Sequence, residues 1–330
     1  MTGFCLLGAG RIGRVHAANI IAHPTASLRY VVDADFAAAE ALARRHSAVP
    51  LDDPATALAD DAVRAVVIGT PTDTHLDMVA AAAAAGKAIL CEKPIDLDID
   101  RVDRCLDIVA RHGIPFAVGF NRRFDPTLAA LRRAVRAGEI GEPEMMIITS
   151  RDPAPPPARY FAASGGYFCD STIHDLDLAR WVLGEEPIEV FAMASCLIDP
   201  AIGATGDVDT AMTVLRTASG RLCHINNSRR AVYGFDQRVE VFGAKGMLQT
   251  ENQREIGLTR ATATGTDSRP PLKHFYLERY AESFARELDD FVEAIGNGRA
   301  PAVTPEDGRR ALTLALACER SRREGRAVAP

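Results

Sequence analysis

The 330-residue chain is predicted to be an α/β protein with two domains. It is longer than a single hydrophobic core usually allows, and the pattern of predicted strands and helices changes once along the sequence. A single hydrophobic core stops growing beyond about 250–300 residues. Over the first 120 residues short apolar runs alternate with longer helical patterns, which is typical of βαβ units and a parallel sheet. Beyond about Asn121 strand-like runs separated by tight turns indicate a mostly antiparallel sheet. We therefore predict domains over residues 1–120 and 121–330, with room for the last helix to pack back on the first.

The first domain is predicted to hold five strands and four helices. The strands are Phe4–Leu7, Leu28–Val32, Ala65–Ile68, Ala88–Cys91 and Phe116–Val118, and the helices are Ile12–Ile21, Phe36–Arg45, Thr74–Ala85 and Ile99–Arg111. The third helix has the plainest end signals. Asp73 is expected at its N-cap and Gly86 at the turn that ends it.

The second domain is predicted to begin with a helix and a strand and to end with two helices. Its helices are Pro126–Ala137, Thr172–Leu183, Glu278–Ile295 and Glu306–Arg323, and its strands are Glu144–Ser150, Ile188–Leu197, Asp209–Arg216, Arg221–Asn227 and Gln237–Phe242. A proline-rich loop over Asp152–Pro157 separates the first strand from the helix after it.

Composition narrows the classes of function. The net charge of −6 and the pI of about 5.8 argue against nucleic-acid and anionic-membrane partners, which require a basic face. No run approaches the length of a membrane span, and the N-terminus reads as a strand rather than a signal peptide. The seven cysteines form no CxxC pair, so neither a zinc site nor a disulfide framework is predicted. A cytoplasmic protein with reduced thiols is expected.

A dinucleotide-binding signature stands at the N-terminus. Gly8-Ala9-Gly10-Arg11-Ile12-Gly13 follows a strand and opens a helix, so its backbone and the helix N-terminus are suited to a pyrophosphate. Asp33 ends the second strand, twenty positions after Gly13, where a carboxylate binds the adenosine ribose hydroxyls. That carboxylate repels a 2′-phosphate, and no arginine follows it. The pattern predicts a Rossmann domain that binds NAD in preference to NADP.

Two further motifs follow strands of the same predicted sheet. Gly69-Thr70-Pro71, with His75, follows the predicted strand Ala65–Ile68, and Cys91-Glu92-Lys93-Pro94 comes at the end of the next one, Ala88–Cys91. Open α/β sheets bind ligands beyond the carboxyl ends of their strands. We therefore expect Thr70, Pro71, His75, Glu92 and Lys93 to line the cofactor site, with the Lys93 ammonium directed into the crevice. A surface lysine at the start of a loop is the alternative.

The second domain offers a candidate general base. If the chain is α-helical from about Asp170, then Asp170, His174 and Asp177 share one face, and Asp175 caps or bridges elsewhere. An imidazole between two carboxylates is suited to take a proton near neutral pH. Metal binding is the competing interpretation, but no further nitrogen or sulfur ligand lies nearby. We predict a metal-free site.

Together these motifs resemble the glucose–fructose oxidoreductase/inositol dehydrogenase family. The resemblance rests on the glycine motif, on Glu92-Lys93-Pro94 and on residues 119–125, and it extends through residues 165–177, 150–155, 227–238 and 274–280. It covers essentially the whole chain. It implies an N-terminal Rossmann domain, then an α/β domain with an open antiparallel sheet that packs in homotetramers.

The resemblance also implies residue roles. Lys93, Asp170 and His174 match the family's catalytic residues, and Arg123, Asp152, Asp177 and Tyr233 match positions that contact polyol hydroxyls. The expected reaction is NAD-dependent oxidation of a cyclic polyol, foremost myo-inositol to its 2-keto form. The alternatives are a dehydrogenase of another inositol isomer or a hexose, an NAD-dependent glycosidase, and a non-catalytic NAD-binding protein.

Overall fold

The computed structural model describes residues 1–157, 160–161 and 164–330, which form two compact units. The first unit combines Met1–Phe124 with Glu282–Leu312, and the second combines Asp125–Ala281 with Thr313–Pro330. The chain thus leaves the first unit after residue 124, returns to it for one helix and the start of the next, and ends in the second unit.

The first unit contains a parallel sheet with helices connecting its strands. Its strands are β1 Thr2–Leu7, β2 Ala26–Val32, β3 Val49–Leu51, β4 Val63–Ile68, β5 Ala88–Cys91 and β6 Phe116–Val118. Its helices are α1 Arg11–Ala22, α2 Phe36–His46, α3 Ala55–Ala59, α4 His75–Ala84 and α5 Ile99–His112, together with the later α10 Ala281–Asn297 and the start of α11 Pro305–Glu324. The strand order β3-β2-β1-β4-β5-β6 is that of a Rossmann fold, whose ligand crevice lies where the order reverses, beside β1 and β4.

Burial explains why these runs form the sheet. Residues 3–7 of β1 and 65–68 of β4 are buried along their whole length, as expected for strands covered on both faces. Phe4 and Leu6 of β1 pack with Leu288 and Phe291 of α10, and the rings of Phe4 and Phe291 lie 6.3 Å apart. The late helix α10 therefore completes the core of the first unit.

The second unit contains a mixed sheet backed by helices. Its strands are β7 Pro143–Arg151, β8 Pro187–Ser195, β9 Thr210–Thr217, β10 Leu222–Ser228, β11 Asp236–Gly243 and β12 Gly246–Gln249, and a separate hairpin is formed by β13 Arg260–Thr262 and β14 Gly265–Ser268. Its further helices are α6 Pro126–Arg136, α7 Ile173–Leu183, α8 Pro200–Ala204 and α9 Tyr276–Arg279. The order is β12-β11-β7-β10-β9-β8, and β7 runs parallel to β10 while the other neighbours are antiparallel.

The predicted fold class is confirmed, whereas several local elements differ from the prediction. Val49–Leu51 forms β3, which was missed because it is short, half-exposed and contains a proline. Asp73 does not cap a helix, because a 3₁₀ turn over Thr72–Thr74 precedes α4. The predicted helix Glu278–Ile295 is two helices, α9 and α10, interrupted at Tyr280. Among the described residues, no helix is both long and apolar enough to cross a membrane.

Candidate functional site

Two glycines in the loop after β1, Gly8 and Gly13, are required by the packing of the protein backbone. Gly8 has φ of +100°, and a Cβ there would lie 2.5 Å from the Gly69 carbonyl oxygen. A Cβ on Gly13 would lie 1.9 Å from the Gly8 carbonyl oxygen. Since real Cβ atoms do not approach so closely, these two positions let α1 start directly against the ends of β1 and β4.

Gly10 differs from its neighbours in the same loop. It has φ of −68° and ψ of −163°, a conformation open to any residue, and a Cβ there would meet no described atom within 4 Å. Neither strain nor internal packing accounts for glycine at this position. The space beside Gly10 is therefore available to a ligand that approaches the backbone.

The start of α1 fits an anionic ligand. Gly10 is its N-cap, and within the described chain no side chain caps it and no acidic residue occupies its first turn. The amide groups and the positive end of the helix dipole at Arg11 and Ile12 are thus suited to a diphosphate. The Asp33 carboxylate accepts hydrogen bonds from the Ala9 amide at 2.7 Å and the Asp35 amide at 2.9 Å. This arrangement fits NAD, with Gly10 towards the pyrophosphate and Asp33 towards the adenosine ribose.

His75 connects the loops that follow β4 and β5. Its side chain is buried, with Nδ1 3.0 Å from the Pro94 carbonyl oxygen and Nε2 3.0 Å from the Thr70 carbonyl oxygen. Burial lowers the pKa of His75 below its ordinary value, although the carbonyl contacts oppose that shift. Both ring nitrogens thus lie against backbone carbonyl groups. His75 therefore holds together the loops that carry Thr70, Pro71 and Lys93.

Glu92 and Lys93 come directly after β5. The Glu92 Oε1 atom lies 2.7 Å from Nε2 of His16, a buried residue of α1. A Cβ at Gly119 would lie 2.9 Å from Glu92 Oε2, so glycine at the end of β6 makes room for this carboxylate. Lys93 is partly buried, and its bond to Pro94 is cis. His16 was not among the predicted site residues, and Gly119 entered only as part of the motif at residues 119–125, because only the fold brings both to Glu92.

Arg123 lies in a 3₁₀ turn over Asn121–Phe124 and is buried. Its Nη2 donates to Asp307 Oδ1 at 2.8 Å. Burial raises the pKa of Asp307, but the Arg123 guanidinium and the hydrogen bonds from Thr304 outweigh burial, so the pKa is lowered overall. Asp307 is 184 residues away in sequence, which hid the pair from sequence analysis. Contact of Arg123 with a polyol stays a prediction.

In the second unit, the backbone around Asp170 departs from the α-helix on which the sequence argument relied. Phe168–Thr172 forms one π-helical turn, and the α-helix α7 begins only at Ile173. The α-helical spacing therefore holds for His174 and Asp177 but not for Asp170, whose place relative to His174 is set by the wider turn. Isolated π turns occur frequently at functional sites.

Two side chains that sequence analysis missed hold the Asp170 carboxylate. Tyr160 donates its hydroxyl to Oδ1 at 2.7 Å, and Arg229 Nη2 donates to Oδ2 at 3.1 Å. Arg229 is 1% exposed and its guanidinium lies over the Tyr167 ring, 4.6 Å from the centroid. Arg229 lies inside a segment used for the family resemblance, but its contact with Asp170 requires the fold.

The two aspartates of α7, Asp175 and Asp177, are buried. Asp177 Oδ1 lies 3.4 Å from Nη1 of Arg180, one turn along the helix. Asp175, predicted to cap or bridge, accepts from Nδ2 of Asn227 on β10 at 2.8 Å. Asp175 therefore ties α7 to the sheet, while Asp177 lies on the same helix as His174.

Asp152 and Tyr233 belong to two segments that are joined by backbone hydrogen bonds. The Asp152 amide donates to the Ser228 carbonyl at 2.9 Å, and its own carbonyl accepts from the Ala231 amide at 2.7 Å. Tyr233 donates its hydroxyl to Asp236 Oδ2 at 2.7 Å and accepts from Arg151 at 3.1 Å. Within the second unit the structure thus brings Asp152 close to the Tyr233 loop, and it places Asp170, His174 and Asp177 on one helical segment.

Comparison with known proteins agrees with this organisation. Residues 2–120 match the oxidoreductase family with an NAD-binding Rossmann fold, and residues 128–249 match the GFO/IDH/MocA C-terminal domain. The chain belongs to the GFO/IDH/MocA family.

Three relatives illustrate the membership. An inositol 2-dehydrogenase of Rhizobium meliloti (strain 1021) is 52% identical over 98% of each chain. The structure of a myo-inositol dehydrogenase from Corynebacterium glutamicum is 42% identical, with a TM-score of 0.96 over 100% of this chain and 98% of that one. The structure of a scyllo-inositol dehydrogenase from Lactobacillus casei, with bound NAD(H) and scyllo-inositol, is 27% identical, with a TM-score of 0.91 over 100% and 99%.

Membership confirms the predicted family, fold class, cofactor and enzyme class. The chain is an NAD-dependent oxidoreductase, built as a Rossmann domain followed by a mixed-sheet α/β domain of the GFO/IDH/MocA type. The roles of individual site residues are a separate matter, which depends on the geometry above and on the experiments below.

The glycine loop yields a paired prediction. Gly10→Ala should leave the free energy of unfolding within about 0.5 kcal/mol of the parent, yet weaken NAD binding about tenfold or more, because its Cβ enters the space of the pyrophosphate. Gly13→Ala should destabilise the protein itself, because its Cβ meets the Gly8 carbonyl. Calorimetric titration with NAD and urea unfolding measure both effects. Gly296→Ala, at an exposed glycine of α10, is the control. An unchanged NAD affinity in Gly10→Ala would show that the pyrophosphate binds elsewhere.

Proposed function

We propose that this oxidoreductase oxidises one secondary hydroxyl of a cyclic polyol, with myo-inositol as substrate and its 2-keto form as product. Similarity to three dehydrogenases of inositols, described above, supports the proposal. The single structural observation that carries it is the helical segment of Asp170 and His174, where a carboxylate fixed by Arg229 and Tyr160 stands one turn before an imidazole.

The proposed chemistry needs a proton acceptor and a hydride acceptor. Bound NAD supplies the hydride acceptor. His174 takes the hydroxyl proton on a ring nitrogen as the carbinol carbon loses hydride and becomes a ketone, and Asp170 orients the ring. Lys93 holds the same hydroxyl and stabilises the negative charge that develops on its oxygen. The reaction balances as loss of one proton and one hydride, and no metal ion is required.

Recognition of a polyol is assigned to Lys93, Arg123, Asp152, Asp177 and Tyr233. These side chains offer both donors and acceptors, as a ring of hydroxyls requires. A site built to hydrogen-bond many hydroxyls penalises an analogue that lacks them, because the polar groups of the site are left unpaired. Small monohydric alcohols are therefore expected to be very poor substrates.

Preference for NAD over NADP is part of the proposal. Both oxygens of Asp33 are held by backbone amides, Ala9 and Asp35, which fixes the negative charge at the end of β2. No basic side chain follows at Ala34, Asp35 or Phe36. A 2′-phosphate at this place would meet a fixed carboxylate at close range and find no guanidinium to pair with.

A cytoplasmic homotetramer is the proposed assembly. One face of the second sheet carries exposed apolar side chains that are neighbours in register, including Met193 beside Met212 and Leu222 beside Met145. Phe242 extends this row from β11. Exposed apolar patches of this kind are typical of interfaces between protein chains.

The sheet face yields a prediction about mass. Sedimentation equilibrium of the parent should give about four times the 35.5 kDa chain mass. The double variant Met193→Glu/Met212→Glu should sediment as a smaller species, because burying two carboxylates in an apolar interface is costly. Ile256→Glu, an equally exposed residue outside this sheet, is the control. A parent protein that sediments as a monomer would contradict the proposed assembly.

The proposed base is tested by substitution. His174→Asn should lower kcat by about 10²-fold or more, the usual contribution of a positioned general base. NAD affinity should be nearly unchanged, because His174 belongs to the second unit and the glycine loop to the first. Asp170→Asn should lower kcat in the same direction. His112→Asn, at the exposed end of α5, controls for loss of an imidazole. Near-normal kcat in His174→Asn would mean that another group accepts the proton.

The substrate is tested by a panel of polyols at one pH. We expect kcat/KM with NAD to be highest for myo-inositol, lower for scyllo-inositol, D-chiro-inositol, glucose and xylose, and lowest for 2-propanol. Scyllo-inositol is the strongest rival, because a 27% identical relative binds it. A hexose that exceeds every inositol by about tenfold would overturn the inositol assignment and leave a polyol dehydrogenase. Failure of every compound to reduce NAD would overturn the proposed function.

A further inference from the structure

The first unit contains a carboxylic acid that the proposed chemistry does not use. Glu287 lies on α10 and is 2% exposed, and among the described residues neither of its carboxyl oxygens has a hydrogen-bond partner. A buried carboxylate without partners is costly, so such a group is kept only where a specific arrangement requires it.

Several other buried polar atoms on α1 and α10 also lack a hydrogen-bond partner among the described residues. Within the described chain, Nδ1 of His16, Nδ2 of Asn19 and the hydroxyl of Ser283 also lack partners. His16 and Asn19 are one turn apart on α1, and Ser283 is one turn before Glu287 on α10. The two helices meet here, because the Phe284 ring lies edge-on to the His16 ring with centroids 6.1 Å apart. Possible donors on α1 thus share a helix interface with the acceptors of Glu287.

His16 links this interface to the end of β5. Its Nε2 lies 2.7 Å from Glu92 Oε1, so its other nitrogen is the one left for the α10 side. Glu92 is directly followed by Lys93 and the cis Pro94. A side chain that fixes the His16 ring therefore also fixes the carboxylate of Glu92, and with it the start of the segment that carries Lys93.

The charges around Glu287 are mostly negative. The ionisable groups that act on Glu287 are Glu92 after β5 and Asp290 on its own helix, while Asn19 and Ser283 at the same helix interface are neutral. Burial first, and then the charges of Glu92 and Asp290, raise the pKa of the Glu287 carboxyl well above its ordinary value. Ionisation of Glu287 would place a second negative charge in the buried surroundings of Glu92, which is unfavourable.

We propose that Glu287 acts as a neutral carboxylic acid that positions the Glu92-Lys93-Pro94 segment through His16. A neutral carboxylic acid can donate one hydrogen bond and accept others, so it suits the mixed set of donors and acceptors that lack partners among the described residues at the α1–α10 interface. It is a positioning residue, since it acts on Lys93 only through His16 and Glu92. The effect on turnover depends on the proposed role of Lys93, whereas the protonation of Glu287 does not.

The pH dependence of stability follows from this protonation. Unfolded, the carboxyl titrates near 4.5, and folded it titrates at a higher pH. Between those two values the folded state holds a proton that the unfolded state has lost. The stabilisation that this proton contributes is therefore fully present below the pKa of the unfolded state. It is lost as the pH rises towards the pKa of the folded state, and the folding equilibrium constant falls about tenfold per pH unit in that range.

The experiment compares Glu287→Gln and Glu287→Leu with the parent and with Glu282→Gln, an exposed glutamate on the same helix. Urea unfolding is measured from pH 6 to pH 9, and kcat/KM for myo-inositol at pH 7. Glu287→Gln, which keeps a neutral donor and acceptor, should retain kcat/KM within about twofold. Its folding equilibrium constant relative to the parent should increase with pH by up to about tenfold per unit. Glu282→Gln should show no such increase.

Glu287→Leu separates positioning from mere stability. It should be at least as stable as the parent at pH 8, because it removes the buried acid, yet lose about tenfold or more in kcat/KM, because the His16 ring is no longer fixed. A stability difference between Glu287→Gln and the parent that does not change with pH would overturn the neutral acid. Full activity of Glu287→Leu, or equal loss in both variants, would overturn the positioning role. If the parent oxidises no polyol, the proposed function fails while the stability comparison still decides the protonation.

Discussion

The close approach of three backbone segments, the ends of β1 and β4 and the start of α1, sets the geometry of the nucleotide half of this enzyme. Gly8 and Gly13 allow it, because a Cβ at either would overlap a carbonyl group. The approach directs the amides of the first turn of α1 outward beside Gly10 and brings the Ala9 amide to Asp33. It also places His16, one turn further along α1, against Glu92 at the end of β5. The glycine loop, the Asp33 carboxylate and the segment that begins at Glu92 are thus all connected to α1 or to the loop before it.

In the second unit a π turn and two side-chain contacts hold the Asp170 carboxylate in place. The proposed base, His174, lies in the first turn of α7, directly after the turn that carries Asp170. The π turn over Phe168–Thr172 sets that carboxylate apart from the α-helical series, and Arg229 and Tyr160 hold it from the β10 side and from the preceding loop. Arg229 is itself enclosed by aromatic rings. A rigid carboxylate is what keeps an imidazole in one orientation during proton transfer.

Much of this organisation was predictable because it depends on local signals. β5 and β6 were predicted with their observed bounds, since continuous apolar runs and flanking turns define buried strands. The glycine motif predicted the loop between β1 and α1, because its signal also lies within a few consecutive residues. The features that were missed depend on contacts distant in sequence. Arg123 with Asp307, Glu92 with His16 and Gly119, and the parallel pairing of β7 with β10 all require the fold. The π turn was missed because a widened turn leaves no mark in apolar periodicity.

The central claim is that hydride passes directly from a ring carbon of the polyol to NAD while a protein base takes the hydroxyl proton. It is tested most directly with myo-inositol carrying deuterium on C2, followed by mass spectrometry of both products. The account predicts one deuterium in the reduced cofactor and none on C2 of the product, which has become a ketone. Reduced cofactor without deuterium, or a product that keeps deuterium on C2, would contradict it.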